Sequence, residues 1–444
     1  MIVAVYDAFS WAAMTTTVPL TTRTFPAEFL WGTASAAHQV EGGNTNNDYY
    51  EWELNGRLKY AAGLADDEYH RYVEDFATAA SLGHNAIRLS IEWSRIEPRP
   101  NEFSDAEIAH YRDVLTTAHA DGLKTYVTLH HFTNPIWAAA EGGWAGDKMV
   151  DRYSDYVRYV VPRIGDLVDY WLTINEPNAN AFTSYGIGAT PPGVTDTQQV
   201  GVALANFLKA HAAAYRLIHS TFPQAKVSLT VNMIQFDPAR WWMPADKFIA
   251  DALDDFWNRQ ILDSIRSGRI RLFVPFQLDR EESWPALAGT MDFVAIDYYT
   301  RFLIRSDPSA PGGYALAESD GAHADNGSEV YPAGLLRILR SLKPYGLPIH
   351  VTENGVTDAQ DHLRGQFICD HVGAIAAAID EGVDVRAYLH WSLVDNYEWV
   401  YGFTQHFGLI AVDLATQQRT VRASAYMFSR IIASRSVSPC TQPP

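Results

Sequence analysis

The amino-acid sequence predicts an α/β fold: a single (β/α)8 barrel of the TIM type, with elaborated loops after its strands. Short apolar runs rich in β-branched and aromatic residues alternate with helical patterns eight times along the 444 residues. Eight such repeats fit a closed barrel better than an open doubly wound sheet. The open sheet is the alternative, and it is weakened because no GxGxxG fingerprint follows the first strand.

Eight apolar runs predict the strands, and the first of them is the weakest. That first run is Phe29–Gln39, in which small residues dilute the apolar ones. The other runs combine high β-propensity with a length suited to a buried parallel strand. They are Asn85–Trp93, Lys124–His131, Asp169–Pro177, Ala225–Met233, Asp292–Thr300, Pro348–Gly355 and Val385–Leu393.

The helical segments between these runs have recognisable ends. The segment that begins at Tyr69 ends in Gly83, and glycine is the favoured residue just after a helix. The next segment begins with Ser104 and has Glu107 three residues later. This spacing predicts a capping box, in which the two side chains bond each other's backbone N–H groups.

The domain organisation follows from the same pattern. The barrel is predicted at residues 23–436, with residues 1–22 as a disordered N-terminal extension and residues 437–444 as a flexible C-terminal tail. The stretch Arg301–Val330 carries Pro, Gly, Ser and Asp without clear periodicity. It is therefore predicted to be a surface loop, on the side where the strands end.

Charge and composition exclude several classes of partner. The formal net charge of −18 argues against nucleic acid and against anionic membranes, since both require basic patches. No apolar run reaches the ~20 residues that span a bilayer, and the N-terminus lacks the positive region of a signal peptide. Two cysteines, Cys369 and Cys440, are too few for a disulfide framework. The cytoplasm is the expected location, and an oligomer is compatible with the sequence.

Polar and aromatic residues gather where the predicted strands end, which is where such barrels carry their sites. Glu176 in "INEP" follows the fourth strand, and Glu353 in "VTENG" follows the seventh. Pro177 cannot donate to a sheet, so the fourth strand stops with a carboxylate at its tip. The other residues at these ends are Gln39, Glu92, Trp93, His130, His131, Asn175, Asn232, Asp297, Tyr298, Tyr299, Asn354 and Trp391.

Two acids that reach a shared centre are the arrangement used in glycoside hydrolysis. A salt-bridged rim carboxylate is the alternative for either acid alone. Neither GxSxG nor HExxH occurs. His130 and His131 are adjacent, so on a strand they face opposite ways and cannot chelate one metal together. The segment Trp391–Phe403 interleaves aromatic and acidic residues without Lys or Arg, a composition that suits stacking on sugars.

The chain resembles the family 1 glycoside hydrolases, the retaining β-glucosidases and β-galactosidases. The resemblance runs from about Phe25 to Ser429 and rests on six motifs that occur in the family's order. They are "FPAEFLWGTASAAHQVEG", "IRLSIEWSRIEP", "TINEPN", "IDYYTRF", "VTENG" and "HWSLVDNYEWVYGFTQHFGLIAVD".

The resemblance implies a role for each matched residue. Glu176 would be the general acid and base, and Glu353 the nucleophile that forms a covalent glycosyl-enzyme. Arg88 and Tyr299 would contact Glu353 and keep its pKa low, and Asn232 would support the site from behind. The residues implied to bind the sugar are Gln39, His131, Asn175, Tyr299, Trp391, Glu398, Trp399 and Phe407.

The resemblance also implies the substrate class. Small β-glycosides or oligosaccharides are expected, without a cofactor or metal, and a β-glucosidase with β-galactosidase or β-fucosidase activity is the main prediction. Glu398 would repel a phosphate, so a non-phosphorylated sugar is expected. Asp297 stands where the family usually has Asn, an extra carboxyl that can shift the pH optimum or the preferred sugar. A transglycosylase of the same fold and a non-catalytic sugar-binding protein are the alternatives.

Overall fold

The computed structural model describes residues 22–438. Eight parallel strands hydrogen-bond in chain order, and the last pairs with the first through Tyr388 and Trp31, which closes the predicted barrel. The strands are β1 (Leu30–Ala34), β2 (Ala86–Ser90), β3 (Lys124–Thr128), β4 (Tyr170–Asn175), β5 (Val227–Pro238), β6 (Val294–Ser306), β7 (Ile349–Glu353) and β8 (Val385–Trp391).

The helices that follow the strands form the outer layer. None of the helices within residues 22–438 is both long and apolar enough to cross a bilayer. The outer helices are Glu68–Ser81, Asp105–Ala120, Met149–Ile164, Thr197–Thr221, Pro244–Asp254, Gln260–Ser267, Pro332–Leu342, Arg364–Asp380 and Ala423–Ser434. Shorter helices lie in the loops at Ala37–Val40, Asp48–Leu54, Trp93–Ile96, Ile136–Ala140 and Pro177–Ala181.

The predicted capping box is only half formed. The Ser104 hydroxyl accepts from the Glu107 backbone N–H at 3.2 Å, as expected. The Glu107 carboxylate instead accepts from the Tyr69 hydroxyl at 3.0 Å. The Ser104 N–H donates to the Ile96 carbonyl at 2.8 Å. A tertiary contact has therefore replaced the local one.

Residues of β2 show how the strands divide their side chains between two environments. Ile87 and Leu89 belong to the large cluster between the strands and the outer helices. Ala86 belongs to a smaller cluster inside the barrel, and Arg88 points inward above it to reach Glu353. The alternation places one buried cation in the barrel interior, directly under the carboxyl ends of the strands.

The prediction of a loop across Arg301–Val330 is wrong for its first part. β6 continues to Ser306 and pairs with the extended end of β5, and Tyr314–Ala317 adds an antiparallel strand. The residues up to Ile304 are apolar enough for a strand, but only the pairing with β5 decides that they form one. Residues 324–330 do lie on the predicted side of the barrel, because several of them line its mouth.

Within residues 22–438, three two-stranded ribbons complete the fold. Arg23–Thr24 pairs with Ser436–Val437, Arg269–Val274 with Leu278–Ser283, and Ile410–Asp413 with Gln418–Val421. The first ribbon joins the two ends of the described chain. The predicted N-terminal extension and C-terminal tail lie outside the described residues, apart from Thr22, Val437 and Ser438.

Candidate active site

Glu176 sits at a sharp turn between β4 and the next helix. Its backbone adopts the left-handed conformation, with φ 41° and ψ 59°, which a residue with a side chain rarely adopts. The Glu176 N–H donates to the Thr230 carbonyl of β5 at 2.9 Å, and Pro177 begins the short helix that follows. Such strain persists only where surrounding structure holds it, typically at functional sites. The turn directs the carboxyl into the barrel mouth.

Glu353 ends β7 and is held there by the two residues that follow it. The Asn354 side chain donates to the Tyr298 carbonyl at 2.7 Å. Gly355 lies against the backbone of β8, and a Cβ added there would be 1.9 Å from the Trp391 carbonyl oxygen. Only glycine permits this close approach. The "ENG" segment therefore presses the end of β7 against the end of β8.

A pocket of about 220 Å³ opens at the carboxyl ends of the strands. Both predicted catalytic acids and every predicted sugar-binding residue line it, and so does Asn232. Arg88 lies behind the wall. His131 faces the pocket, whereas His130 packs outward and bonds Trp144 at 3.2 Å. The expected division between the two adjacent histidines is confirmed.

Two side chains hold Glu353. Arg88 donates to its Oε1 at 2.6 Å, and the Tyr299 hydroxyl donates to its Oε2 at 2.6 Å. We expected these contacts to keep the pKa of Glu353 low. Burial is the larger effect and raises the pKa of Glu353 above its usual value, with Arg88 and then Tyr299 opposing it. The contacts limit the rise and do not reverse it.

Glu176 has a different environment. Burial, and then the charge of Glu353, raise its pKa to about 8. Asn232 donates to Glu176 Oε1 at 2.7 Å and opposes that rise. One oxygen of Glu176 lies within 4.8 Å of an oxygen of Glu353. The site therefore has an acid that keeps its proton near neutral pH, facing a carboxylate that is bound to a guanidinium.

Two buried polar atoms of the pocket-lining residues have no hydrogen-bond partner in the described chain. Gln39 Nε2 donates to Asn396 at 2.9 Å and to the Tyr397 carbonyl at 3.0 Å, which leaves Oε1 as an acceptor. Within residues 22–438, neither Gln39 Oε1 nor His131 Nδ1 has a hydrogen-bond partner, and both are buried. Trp391 donates to Glu398 at 2.9 Å. A ligand with several hydroxyl groups would satisfy these atoms.

Some residues of the site were not predicted. Asn326, Ser328 and Glu329 line the pocket from the long loop after β6. Nothing in their sequence neighbourhood distinguishes them from any polar loop, since only the path of the chain brings them over the mouth. Asp297, the carboxyl in place of the family's usual Asn, has one oxygen within 4.8 Å of an oxygen of each catalytic acid.

Two close, buried carboxyls in the mouth of a barrel, beside unpaired polar atoms and aromatic rings, are the arrangement of a glycoside hydrolase. Comparison with known families agrees, because residues 21–437 match the model of glycosyl hydrolase family 1. The chain belongs to that family.

Relatives of known name extend the comparison. A β-galactosidase of Pyrococcus woesei is 29% identical over 93% of this chain and 98% of its own length. β-Glucosidase A of Thermotoga maritima is 30% identical over 93% of this chain and 98% of its own length. The solved β-glycosidase of Pyrococcus horikoshii superposes with a TM-score of 0.88 at 34% identity, covering 94% of this chain and 97% of that one.

Proposed function

We propose that the protein hydrolyses β-glycosides by double displacement, with Glu353 as the nucleophile and Glu176 as the general acid and base. The observation that carries this proposal is the position of the two buried carboxyls, whose oxygens approach within 4.8 Å across one pocket. Retaining glycosidases hold their carboxyl groups ~5–5.5 Å apart, whereas inverting enzymes leave ~6.5–9.5 Å for a water. An oxygen of each carboxyl within 4.8 Å of the other is compatible with the narrower, retaining spacing.

In the first step, a Glu353 oxygen bonds the anomeric carbon as the bond to the leaving oxygen breaks. The leaving oxygen takes the proton of Glu176, whose raised pKa keeps it protonated beforehand. Glu353 becomes a neutral ester, and the charge that raised the pKa of Glu176 disappears. Glu176 can then take a proton from water, which attacks the anomeric carbon and releases Glu353 as a carboxylate.

The sugar hydroxyls are bound by the polar wall. We propose that Gln39 Oε1 and His131 Nδ1 bond hydroxyls, since both are buried and otherwise unpaired within the described chain. Burial lowers the pKa of His131 well below its usual value, so its ring is neutral. Its Nε2 accepts from the Asn175 side chain at 3.3 Å, which leaves Nδ1–H to donate to a hydroxyl. Glu398 accepts hydrogen bonds from hydroxyls beside Trp391, whose ring supports the apolar face of the sugar.

The size of the pocket favours one sugar ring. Its volume of about 220 Å³ lies below the ~300–1,000 Å³ usual for drug-sized ligands. A pocket of this size suits removal of a single terminal sugar, which supports exo action. The rest of the substrate would lie along the loop that carries Asn326 and Glu329.

Glucose is the sugar that we propose, with galactose and fucose as further substrates. Relatives of similar identity are named β-glucosidase and β-galactosidase. The Thermotoga maritima β-glucosidase has been solved in complex with glucoimidazole and in complex with galacto-hydroximolactam. A transglycosylase or a non-catalytic binding protein is not favoured, since the relatives carry the names of hydrolytic enzymes and both acids reach the pocket here.

Release of nitrophenol from aryl β-glycosides tests the proposal. The panel contains the glucoside, galactoside, fucoside, mannoside and a phosphorylated glucoside, each with wild-type protein and Glu353→Ala. We expect the wild-type protein to turn over the glucoside and Glu353→Ala to show no turnover. Activity only on the phosphorylated sugar would overturn the role given to Glu398, and no turnover on any member would overturn the proposed function.

Glu381→Ala is the matched control for this panel. Glu381 is an exposed carboxylate that pairs with Arg340 on the outside of the barrel. Loss of such a surface pair costs little, about 0–1 kcal/mol. The control should retain full turnover, so a loss seen in Glu353→Ala is assigned to the pocket.

The cytoplasm stays the predicted location, and the oligomeric state stays open. Fractionation of the producing cells tests the location. Light scattering coupled to size-exclusion chromatography measures the number of copies in the particle.

A further inference from the structure

Arg88 contacts two carboxylates through a single nitrogen. Its Nη1 lies 2.6 Å from Glu353 Oε1 and 3.6 Å from Asp297 Oδ1, and its side chain is fully buried. Its other hydrogen bonds go to neutral groups. They are the Thr128 hydroxyl, the Thr352 carbonyl and the Asn175 side chain. Glu353 and Asp297 are thus the only carboxylates within 4.0 Å of this guanidinium in the described chain.

Asp297 lies between the strands that carry the catalytic machinery. It pairs in register with Glu353 of β7 on one side and Asn232 of β5 on the other. Its side chain is inaccessible to solvent. Oδ1 accepts from the Thr352 hydroxyl at 2.7 Å, while the buried Oδ2 has no donor within residues 22–438. One Asp297 oxygen lies within 4.8 Å of an oxygen of Glu176 and of Glu353.

The charges at this centre do not balance unless protons are retained. Arg88 reaches in from β2, against Glu176 after β4, Asp297 on β6 and Glu353 on β7, with the Tyr299 hydroxyl also facing Glu353. If all three carboxyls ionised, two buried negative charges would lack a cation, which is costly. Burial, and then the charge of Glu353, raise the pKa of Asp297 well above its usual value.

We infer that Asp297 is a reserve counter-ion for Arg88, protonated while Glu353 is a free carboxylate and ionised once the sugar esterifies Glu353. The inference rests on the proposed double displacement. Esterification removes the charge of Glu353, and Asp297 is then the carboxyl left within ion-pair distance of Arg88 in the described chain. Its proton passes to the Glu176 carboxylate, which has just protonated the leaving group, and from there to solvent water. A proton returns from water to Asp297 by the same route when the second step releases Glu353 as a carboxylate. Asp297 acts through Arg88 and Glu176 and is a positioning residue.

This exchange has a consequence for the second step. An ionised Asp297 is a like charge beside Glu176, and a like charge raises the pKa of a carboxyl. Glu176 must be ionised to act as the base. On acidification, the rate of deglycosylation should therefore begin to fall at a higher pH in the wild-type protein than in Asp297→Asn. Asparagine keeps the shape and cannot ionise.

Infrared difference spectroscopy on the full chain tests the inference directly. The protein is produced with isotope-labelled aspartate carboxyls, and Glu353 is trapped as an ester with a fluorosugar that carries a dinitrophenolate leaving group. Trapping should remove one protonated-carboxyl band that shifts with the aspartate label. A band that persists after trapping, or that is absent from the resting protein, would overturn the inference.

Two variants assign the band. It should be missing from Asp297→Asn and should remain in Asp66→Asn, which alters another buried aspartate of raised pKa outside the pocket. The wild-type spectrum decides the question even if a variant folds poorly. A protein that never gains the mass of the sugar would instead overturn the double displacement, and with it this inference.

Kinetics gives a second readout. With an aryl glycoside whose leaving group departs rapidly, kcat reports deglycosylation, and its acid limb should move to lower pH by about one unit in Asp297→Asn. An equal fall in kcat at every pH would indicate a merely structural role and would contradict the inference.

Discussion

Asn232 on β5 donates a 2.7 Å hydrogen bond to Glu176 at the end of β4, so neighbouring strands hold the acid and its donor together. The bond favours the ionised form of Glu176 and keeps its pKa near 8 despite full burial. A donor to a charged group contributes ~1.5–3 kcal/mol. The pKa of Glu176 is therefore adjusted by a residue that lies outside the "TINEPN" motif.

Asn232→Ala should move the alkaline limb of kcat/KM to higher pH by about one unit. The alkaline limb reports loss of the Glu176 proton, and removing a donor to the carboxylate raises the pH at which that proton leaves. A pH profile with an aryl glucoside measures the shift. Movement to lower pH would contradict the assignment of this limb to Glu176.

Glu176→Ala should slow substrates with poor leaving groups by ~10²–10⁴-fold and activated aryl glycosides much less. A good leaving group needs no proton in the first step, so only the second step suffers. Added azide should restore the rate and give a β-glycosyl azide, identified by its product spectrum. An α-azide, or no rescue, would count against the acid and base role.

Arg88→Lys should lower kcat/KM by ~10- to 100-fold and move the acid limb to higher pH. Lysine keeps the charge but cannot bond both Glu353 and Asn175 as the guanidinium does. A weaker partner lets burial raise the pKa of Glu353 further, so the nucleophile is protonated over a wider range. Arg340→Lys, at an exposed pair with Glu381, is the control and should leave the profile unchanged.

Glu398→Gln should reduce kcat/KM by ~10- to 100-fold on both the glucoside and the galactoside. Burial raises the pKa of Glu398 to about 8, so the comparison is made above that pH. There glutamine retains an acceptor for Trp391 but lacks the charge that strengthens bonds to hydroxyls. Steady-state kinetics on the two sugars measures the loss. Unchanged kinetics would show that the sugar does not reach Glu398.

Ser104→Ala should lower the free energy of unfolding by about 1 kcal/mol. The Ser104 hydroxyl is the N-cap acceptor for Glu107 N–H. Denaturant unfolding measures the change. Because the Glu107 side chain bonds Tyr69 and not Ser104, Glu107→Ala tests a separate contact.

The barrel and its two acids can be predicted from the sequence because they depend on local patterns. Apolar runs of strand length, separated by helical segments, specify eight repeats whatever their exact partners. A carboxylate before Pro177, and another before Asn354 and Gly355, mark the ends of buried strands. Parallel strands bring such ends to one rim, so topology alone places Glu176 and Glu353 on the same side of the barrel.

Only the tertiary structure decided the properties that depend on burial and on distant neighbours. The extended pairing of β5 with β6 turned the start of a predicted loop, Arg301–Ser306, into strand, and the path of residues 324–330 over the mouth added Asn326 and Glu329 to the pocket. The direction of the pKa shift of Glu353 was also decided there. Motifs predict the hydrogen-bond partners of a carboxylate. Its desolvation depends on how completely the assembled barrel excludes water around it.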